Sequence, residues 1–282
     1  EANGIRTMWS NGKFQGNNGT EMIVQRGFAV YPILCLERRE RALNIGFGTG
    51  VTAGTIGRFP FREIDIVEMA PSVLRASDCF RTENGAILQD RRVKCFVMDG
   101  RNYLLLREKS YDVISIEISS VWIAGAANLY NAEFYELCRR RLARGGVLQQ
   151  WVQLHHIDTF DLLLILSTIR REFRYCALFV AAHQGIIVAS DDPLQIRVER
   201  VLEDDARPET KPLREPLPMG TLLALSGDLF LSPGEFDAAL DFSVGRLGRF
   251  RGLYVSRDYL PMLEYNTPKG NALRFALEAK VD

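Results

Sequence analysis

Five stretches place groups able to do chemistry where an apolar run ends. Gly46-Phe47-Gly48-Thr49-Gly50 follows Ala42–Ile45. Glycines between a strand and a helix permit a tight turn and close backbone approach to a ligand, and the helix start adds exposed N–H donors. The G-x-G-x-G spacing differs from the G-x-G-x-x-G dinucleotide fingerprint and disfavours a nicotinamide dehydrogenase. Glu68 closes the next run, Glu63–Val67. A carboxylate there can accept both ribose hydroxyls of a nucleoside; the plainer reading is a surface carboxylate on a loop. Asp99-Gly100 follows Val93–Met98 and can accept from an adenine amino group, or simply form an Asp-Gly turn. Glu117, after Tyr111–Ile116, is the best general-base candidate, with a loop carboxylate accepting N–H groups as its alternative. His155 and His156 follow Gly146–Val152. Neighbours on an extended strand point to opposite sides, so one of them, here assigned as His155, borders the acceptor pocket. Trp122 and Trp151 suit the wall of an apolar pocket or the core equally well. Tyr130 and Tyr135 read as helix-packing residues.

The elements that must hold these groups follow from periodicity. Short β-branched runs alternate with longer helical patterns over residues 32–192, the mark of βαβ units and a parallel sheet. Five strand–helix units are expected, with helices near Thr52, from Pro71, over Arg101–Glu108, over Ala132–Leu142 and over Thr159–Phe173. Cys176–Ala181 and Gly185–Ser190 read as a closing hairpin. Residues 1–31 carry Asn11-Gly12 and the Gly16–Gly19 stretch, which is turn chemistry for a small N-terminal β-hairpin region. Residues 193–282 hold Pro208, Pro212, Pro216 and Pro218 and then helical patterns, and are expected to form a mixed, mostly helical extension. In such sheets ligands sit beyond the carboxyl ends of the strands, where all five stretches fall.

Composition narrows the function. With 282 residues, 47% hydrophobic and 25% charged, the chain is globular and can bury a sizeable core. Its 35 basic and 35 acidic residues cancel, so the electrostatic footprint of bulk nucleic-acid binding is missing. Arg139–Arg141 reads as a solvated helix face. The 5 cysteines are scattered, odd in number and never in a C-x-x-C pair, which argues against a disulfide framework or a zinc site and fits a reducing, cytoplasmic setting. Leu162–Leu166, the richest apolar stretch, is far shorter than the roughly 20 residues that span a bilayer. The chain opens on Glu1, and a segment upstream of it, absent from this chain, is expected.

The runs LNIGFGTGVTAGTI, IDIVEMAPSVL, DRRVKCFVMDGRNYL, YDVISIE and LYNAEFYELCRRRLARGGVLQQWV resemble the polyamine aminopropyltransferase (spermidine synthase) family. SNGKFQ and RDYLPMLEYNTPKG resemble the bacterial subgroup fused to a transporter-like membrane region. The resemblance implies a Rossmann-like sheet of the S-adenosylmethionine-dependent methyltransferase type, mostly parallel, with S-adenosylmethionine or its decarboxylated form as cofactor, no metal, and a homodimer. It places Glu68 on the ribose-binding acid, Asp99 on the adenine-contacting acid, and Gln15 and Gln25 on glutamines lining the cofactor side. Gly46, Gly48, Thr49, Gly50, Met69 and Gly100 complete the expected cofactor-binding set. Ser119, Ser120, Trp122 and His155 form the expected substrate pocket.

The amine-side residues depart from the family pattern. Thr49 replaces an acid that meets the aminopropyl amine, Glu117 stands for the catalytic acid, Ser120 for a second acid that grips the diamine, and Val24 for a substrate-contacting tyrosine. A dicationic diamine leaves water only against paired carboxylates, so transfer to putrescine itself is not expected. Thr49 suggests a donor that keeps its carboxylate, favouring S-adenosylmethionine over the decarboxylated form. The expected function is alkyl transfer from an S-adenosyl sulfonium to an amine-type acceptor. The alternatives are a methyltransferase and a non-catalytic nucleoside-sensing domain partnered with a transporter.

Overall fold

The computed structural model describes residues 4–10, 13–118, 121, 125–154, 157–246 and 255–267. In chain order the elements begin with the strands β1 (Thr7–Ser10) and β2 (Lys13–Asn17) and the helix α1 (Glu21–Leu34). There follow β3 (Arg41–Ile45), α2 (Val51–Ile56), β4 (Glu63–Glu68), α3 (Pro71–Ala76), α4 (Arg81–Asn84), β5 (Val93–Val97) and α5 (Gly100–Leu106). The second half contains β6 (Tyr111–Ile116), α6 (Ala132–Arg141), β7 (Leu142–Gln153), α7 (Thr159–Glu172), β8 (Tyr175–Ala181) and β9 (Gln184–Ser190). The chain continues through α8 (Val198–Asp205), α9 (Lys211–Arg214), β10 (Leu229–Leu231) and α10 (Pro233–Arg246).

β1 and β2 pair antiparallel as a separate two-stranded sheet. The remaining strands form one 8-stranded sheet in the order β10-β8-β9-β7-β6-β3-β4-β5. β3 to β7 run parallel, while β9, β8 and β10 are antiparallel to their neighbours. The expected mostly parallel sheet with a closing antiparallel hairpin is therefore present. Strands flanked by helices on both faces must be apolar on both faces, and β6 is buried at every position. One face packs Phe28, Tyr31, Ile64, Ile66 and Phe179 into a core beneath α1 and α2. The other packs Leu43, Ile114, Phe134, Leu164 and Ile165 beneath α6 and α7.

Two boundaries differ from the sequence reading. The hairpin ends at Asn17, and α1 fills Glu21–Leu34, across the expected limit at residue 31. Gly27 and Pro32 interrupt its helical pattern, and it is buried nearly all round between α2 and the sheet, which erases amphipathic periodicity. At the other end, β10 adds a strand beside β8, so the sheet does not stop at residue 192. Among the described residues no helix is long and apolar enough to cross a membrane.

Candidate functional site

The sheet changes winding direction between β3 and β6, which lie side by side while the chain passes first from β3 to β4. Such a switch point opens a crevice at the carboxyl ends of the strands. The ladder runs one step past each strand there: Gly46 N–H donates to Val67 O (2.9 Å) and Glu117 N–H to Ile45 O (2.9 Å). These bonds set the glycine turn, Glu68 and Glu117 around one opening.

Gly46, Gly48 and Gly50 take φ of +84°, +52° and +81°, in the left-handed region. Space is also closed at Gly46, where an added Cβ would lie 2.4 Å from the Glu117 carbonyl oxygen. Only glycine lets the turn pass against the end of β6. Gly100 opens α5 under a different constraint: its φ is not left-handed, and an added Cβ would meet the Ile45 side chain, with Cγ2 at 2.3 Å.

Glu68 turns its carboxylate back onto the turn. Its Oε2 accepts from Phe47 N–H (2.8 Å) and its Oε1 from Ala70 N–H (2.8 Å). Each oxygen keeps a second acceptor site, and the side chain is half-buried. Two lone pairs on a fixed carboxylate are what a ribose diol requires. Met69 beside it is 70% exposed and offers an apolar surface at the same strand tip. Asp99 caps α5, its Oδ1 accepting from Asn102 N–H (2.8 Å). The cap uses one oxygen, so the helix-capping and ligand-binding readings are compatible.

Glu117 is built differently. Its Oε2 is sealed from solvent and has no hydrogen-bond partner among the described residues. Its Oε1 lies over the turn, 3.3 Å from where a Cβ on Gly48 would stand. Burial pushes its pKa up to about 8, with the Thr52 hydroxyl acting against the rise and the neighbouring Glu68 charge adding to it.

Thr49 does not face the crevice as a ligand group. It is completely buried, and its hydroxyl donates to Gln25 Oε1 (2.7 Å). The hydroxyl expected to meet a donor carboxylate is thus already engaged by α1. Gln25 is itself buried, and its carbonyl accepts from the Thr52 hydroxyl (2.9 Å). Gln15 lies half-buried on β2. Trp151 is a packing residue: its indole N–H donates to Gln184 Oε1 (3.0 Å) and its ring lies 5.8 Å from that of Phe28. Ser119, Ser120, Trp122 and His155 lie outside the described residues.

Sequence reasoning missed Asn84. Its buried amide donates to Thr49 O (3.2 Å) and Ser77 O (3.0 Å), while its Oδ1 accepts from Ala86 N–H (2.9 Å). Asn84-Gly85 reads locally as a turn, and nothing local shows that its amide supports the glycine turn. Among the described residues no group of three or more His, Cys, Asp or Glu side chains is placed to hold a metal.

Strand order, glycine turn and acidic strand tips together define a Rossmann-like α/β domain of the S-adenosylmethionine-dependent methyltransferase type. Residues 20–184 match the spermine/spermidine synthase domain, and the chain belongs to that family. Among its relatives, the polyamine aminopropyltransferase of Korarchaeum cryptofilum is 29% identical over 147 residues, 51% of this chain and 46% of the relative. That of Clostridioides difficile is 30% identical over 156 residues, 52% of this chain and 55% of the relative. The chain thus spans about half the length of these curated relatives. Spermidine synthase from Thermotoga maritima superposes with TM-score 0.62 at 18% identity, covering 70% of each chain. Spermidine synthase in complex with the transition-state analogue AdoDATO gives TM-score 0.65 at 16% identity, over 85% of this chain and 80% of that one. At these identities the structural likeness shows the fold alone.

Proposed function

We propose that the crevice between β3 and β6 holds the adenosine of an S-adenosyl sulfonium and that the chain transfers an alkyl group from its sulfur to an amine. The observation that carries this reading is the pair of carboxyl groups flanking the glycine turn, Glu68 fixed by backbone donors and Glu117 lacking a donor on Oε2. Glu68 would take the ribose hydroxyls. Asp99 would take the adenine amino group, beside Met69 and Gly100. The relatives carry the name polyamine aminopropyltransferase, which supports an amine acceptor.

The sulfonium supplies a carbon already activated for displacement, with a neutral thioether as leaving group. The protein must hold the amine in line with the C–S bond and remove one proton from it. In that step the C–S bond breaks, a C–N bond forms, and the nitrogen proton passes to the Glu117 carboxylate. A base with a pKa near the working pH balances ionisation against basicity, and Glu117 at about 8 meets that condition. An arriving ammonium would supply the compensating charge that the buried carboxylate lacks. Ser120, standing where the family has a second acid, favours an acceptor with one cationic end near the reacting nitrogen over putrescine.

The test incubates the protein with S-adenosylmethionine or its decarboxylated form and a panel of monoamines and diamines, with products weighed by mass spectrometry. An amine heavier by the transferred alkyl group, with thioether nucleoside released, is the expected result. Tight nucleoside binding with no alkylated product from any amine would overturn the transferase reading.

A further inference from the structure

Against the inner side of the glycine turn lies a buried polar cluster, one member of which, Thr52, also bears on Glu117. Thr49 is 0% exposed, Thr52 0%, Asn84 2% and Gln25 4%. Gln25 stands at the centre: its Oε1 accepts the Thr49 hydroxyl (2.7 Å) and its carbonyl the Thr52 hydroxyl (2.9 Å). Its amide nitrogen also lies against β2, where a Cβ added to Gly16 would come within 2.6 Å of Nε2 and 3.1 Å of Thr49 Cγ2. One side chain therefore joins the N-terminal hairpin, α1 and the turn. Buried polar groups are costly unless paired, so such a cluster has one satisfied arrangement and resists small shifts.

We propose that Gln25 is a positioning residue for the donor site, fixing the glycine turn from behind through Thr49 and linking its geometry to the seating of the hairpin. The inference rests on the reading of the crevice as an adenosine site, but it assigns Gln25 no contact with the ligand. The turn, and the Glu68 carboxylate held to it by Phe47 N–H, must keep their shape to meet a ligand. A turn rich in left-handed glycines has little stiffness of its own, and the Gln25–Thr49 bond supplies a constraint from the far side. Gly16 is needed for the same reason: any larger residue would displace the Gln25 amide.

The test compares Q25L, Q25E, T49V and the double variant Q25L/T49V with the wild type. Calorimetry gives Kd for methylthioadenosine, steady-state assays give KM for donor and acceptor separately, and melting temperatures report stability. Loss of one buried hydrogen bond corresponds to about a tenfold effect. Q25L is expected to raise nucleoside Kd and donor KM by roughly that factor and leave acceptor KM within about twofold. Q25E retains an acceptor for the Thr49 hydroxyl and should recover most of the affinity. T49V should match Q25L, and the double variant should be no worse than either, because both remove the same link. A Q25L protein with a lowered melting temperature and unchanged nucleoside Kd would make Gln25 a core residue only and overturn the proposal. So would losses that simply add in the double variant. A wild type that binds no adenosine nucleoside would instead bring down the adenosine-site reading, and the inference with it.

Discussion

Glu68 ends β4 with each carboxylate oxygen accepting a backbone N–H, from Phe47 and from Ala70, whereas Glu117 follows β6 with an oxygen that is sealed and accepts none. Both acids stand at the same crevice, and Glu68 contributes to the raised pKa of Glu117. The β4 side is organised in advance, its acid fixed by the turn that it helps to shape. The β6 side holds an acid that becomes comfortable as an anion only when a cation or donor arrives. Such a division suits a site that binds one substrate through fixed geometry and uses charge on the other for chemistry.

The comparison breaks most sharply at Glu117. Glu117→Gln keeps the shape and removes the proton acceptor, and loss of a general base lowers turnover by about 10²–10⁴-fold. Nucleoside affinity should change little, which titration calorimetry beside the activity assay will show. The pH profile gives the next effect. The carboxyl must be ionised to accept a proton, and its pKa is pushed up to about 8, so kcat/KM should climb as pH rises towards that value and level off above it. The variant should lack that limb. Stability runs the other way. A carboxyl whose pKa is raised on folding favours the folded state fully below its ordinary value of 4.5, and that contribution is lost as pH rises through about 8. Thermal melts of wild type and Glu117→Gln across that window will show whether the slope disappears.

Glu68→Ala should act on binding. Two charge-assisted hydrogen bonds to a ribose at about 1.5 kcal/mol each predict a loss near a hundredfold in nucleoside Kd, with acceptor KM nearly unchanged. Gly46→Ala forces a methyl to 2.4 Å from the Glu117 carbonyl in a left-handed backbone. Denaturant unfolding should report about 2–3 kcal/mol of destabilisation. Asp99→Ala removes a helix cap and, in the proposed function, one adenine acceptor, each worth about 1 kcal/mol, so stability and nucleoside affinity should both fall by that amount.

Much of this architecture is legible because strands buried on both faces leave a strong signal. Tyr111–Ile116 is reproduced without change and Glu63–Val67 is within a residue; the edge strand β5, which is not buried on both faces, is likewise within a residue of Val93–Met98. The glycine turn, Glu68, Asp99 and Glu117 follow from strand ends alone, since the parallel sheet fixes where its carboxyl edge lies. α1 was hidden because a helix packed on nearly every side has no polar face to give it a period. Spacing puts Thr49 in the turn but does not aim its side chain. In a turn of left-handed glycines, spacing does not tell which way a side chain points, and only its bond to Gln25 shows that it points inward. Asn84 was invisible for a related reason: its partners, Thr49 and Ser77, belong to separate elements that the fold brings together.

The central claim is that the crevice at the β3–β6 switch point receives an adenosine whose ribose rests on Glu68. A crystal of the protein grown with methylthioadenosine measures this directly. The account predicts both ribose hydroxyls within about 3 Å of the Glu68 oxygens, with the backbone bonds from Phe47 and Ala70 intact. A nucleoside bound elsewhere, or a ribose turned away from Glu68, would contradict it.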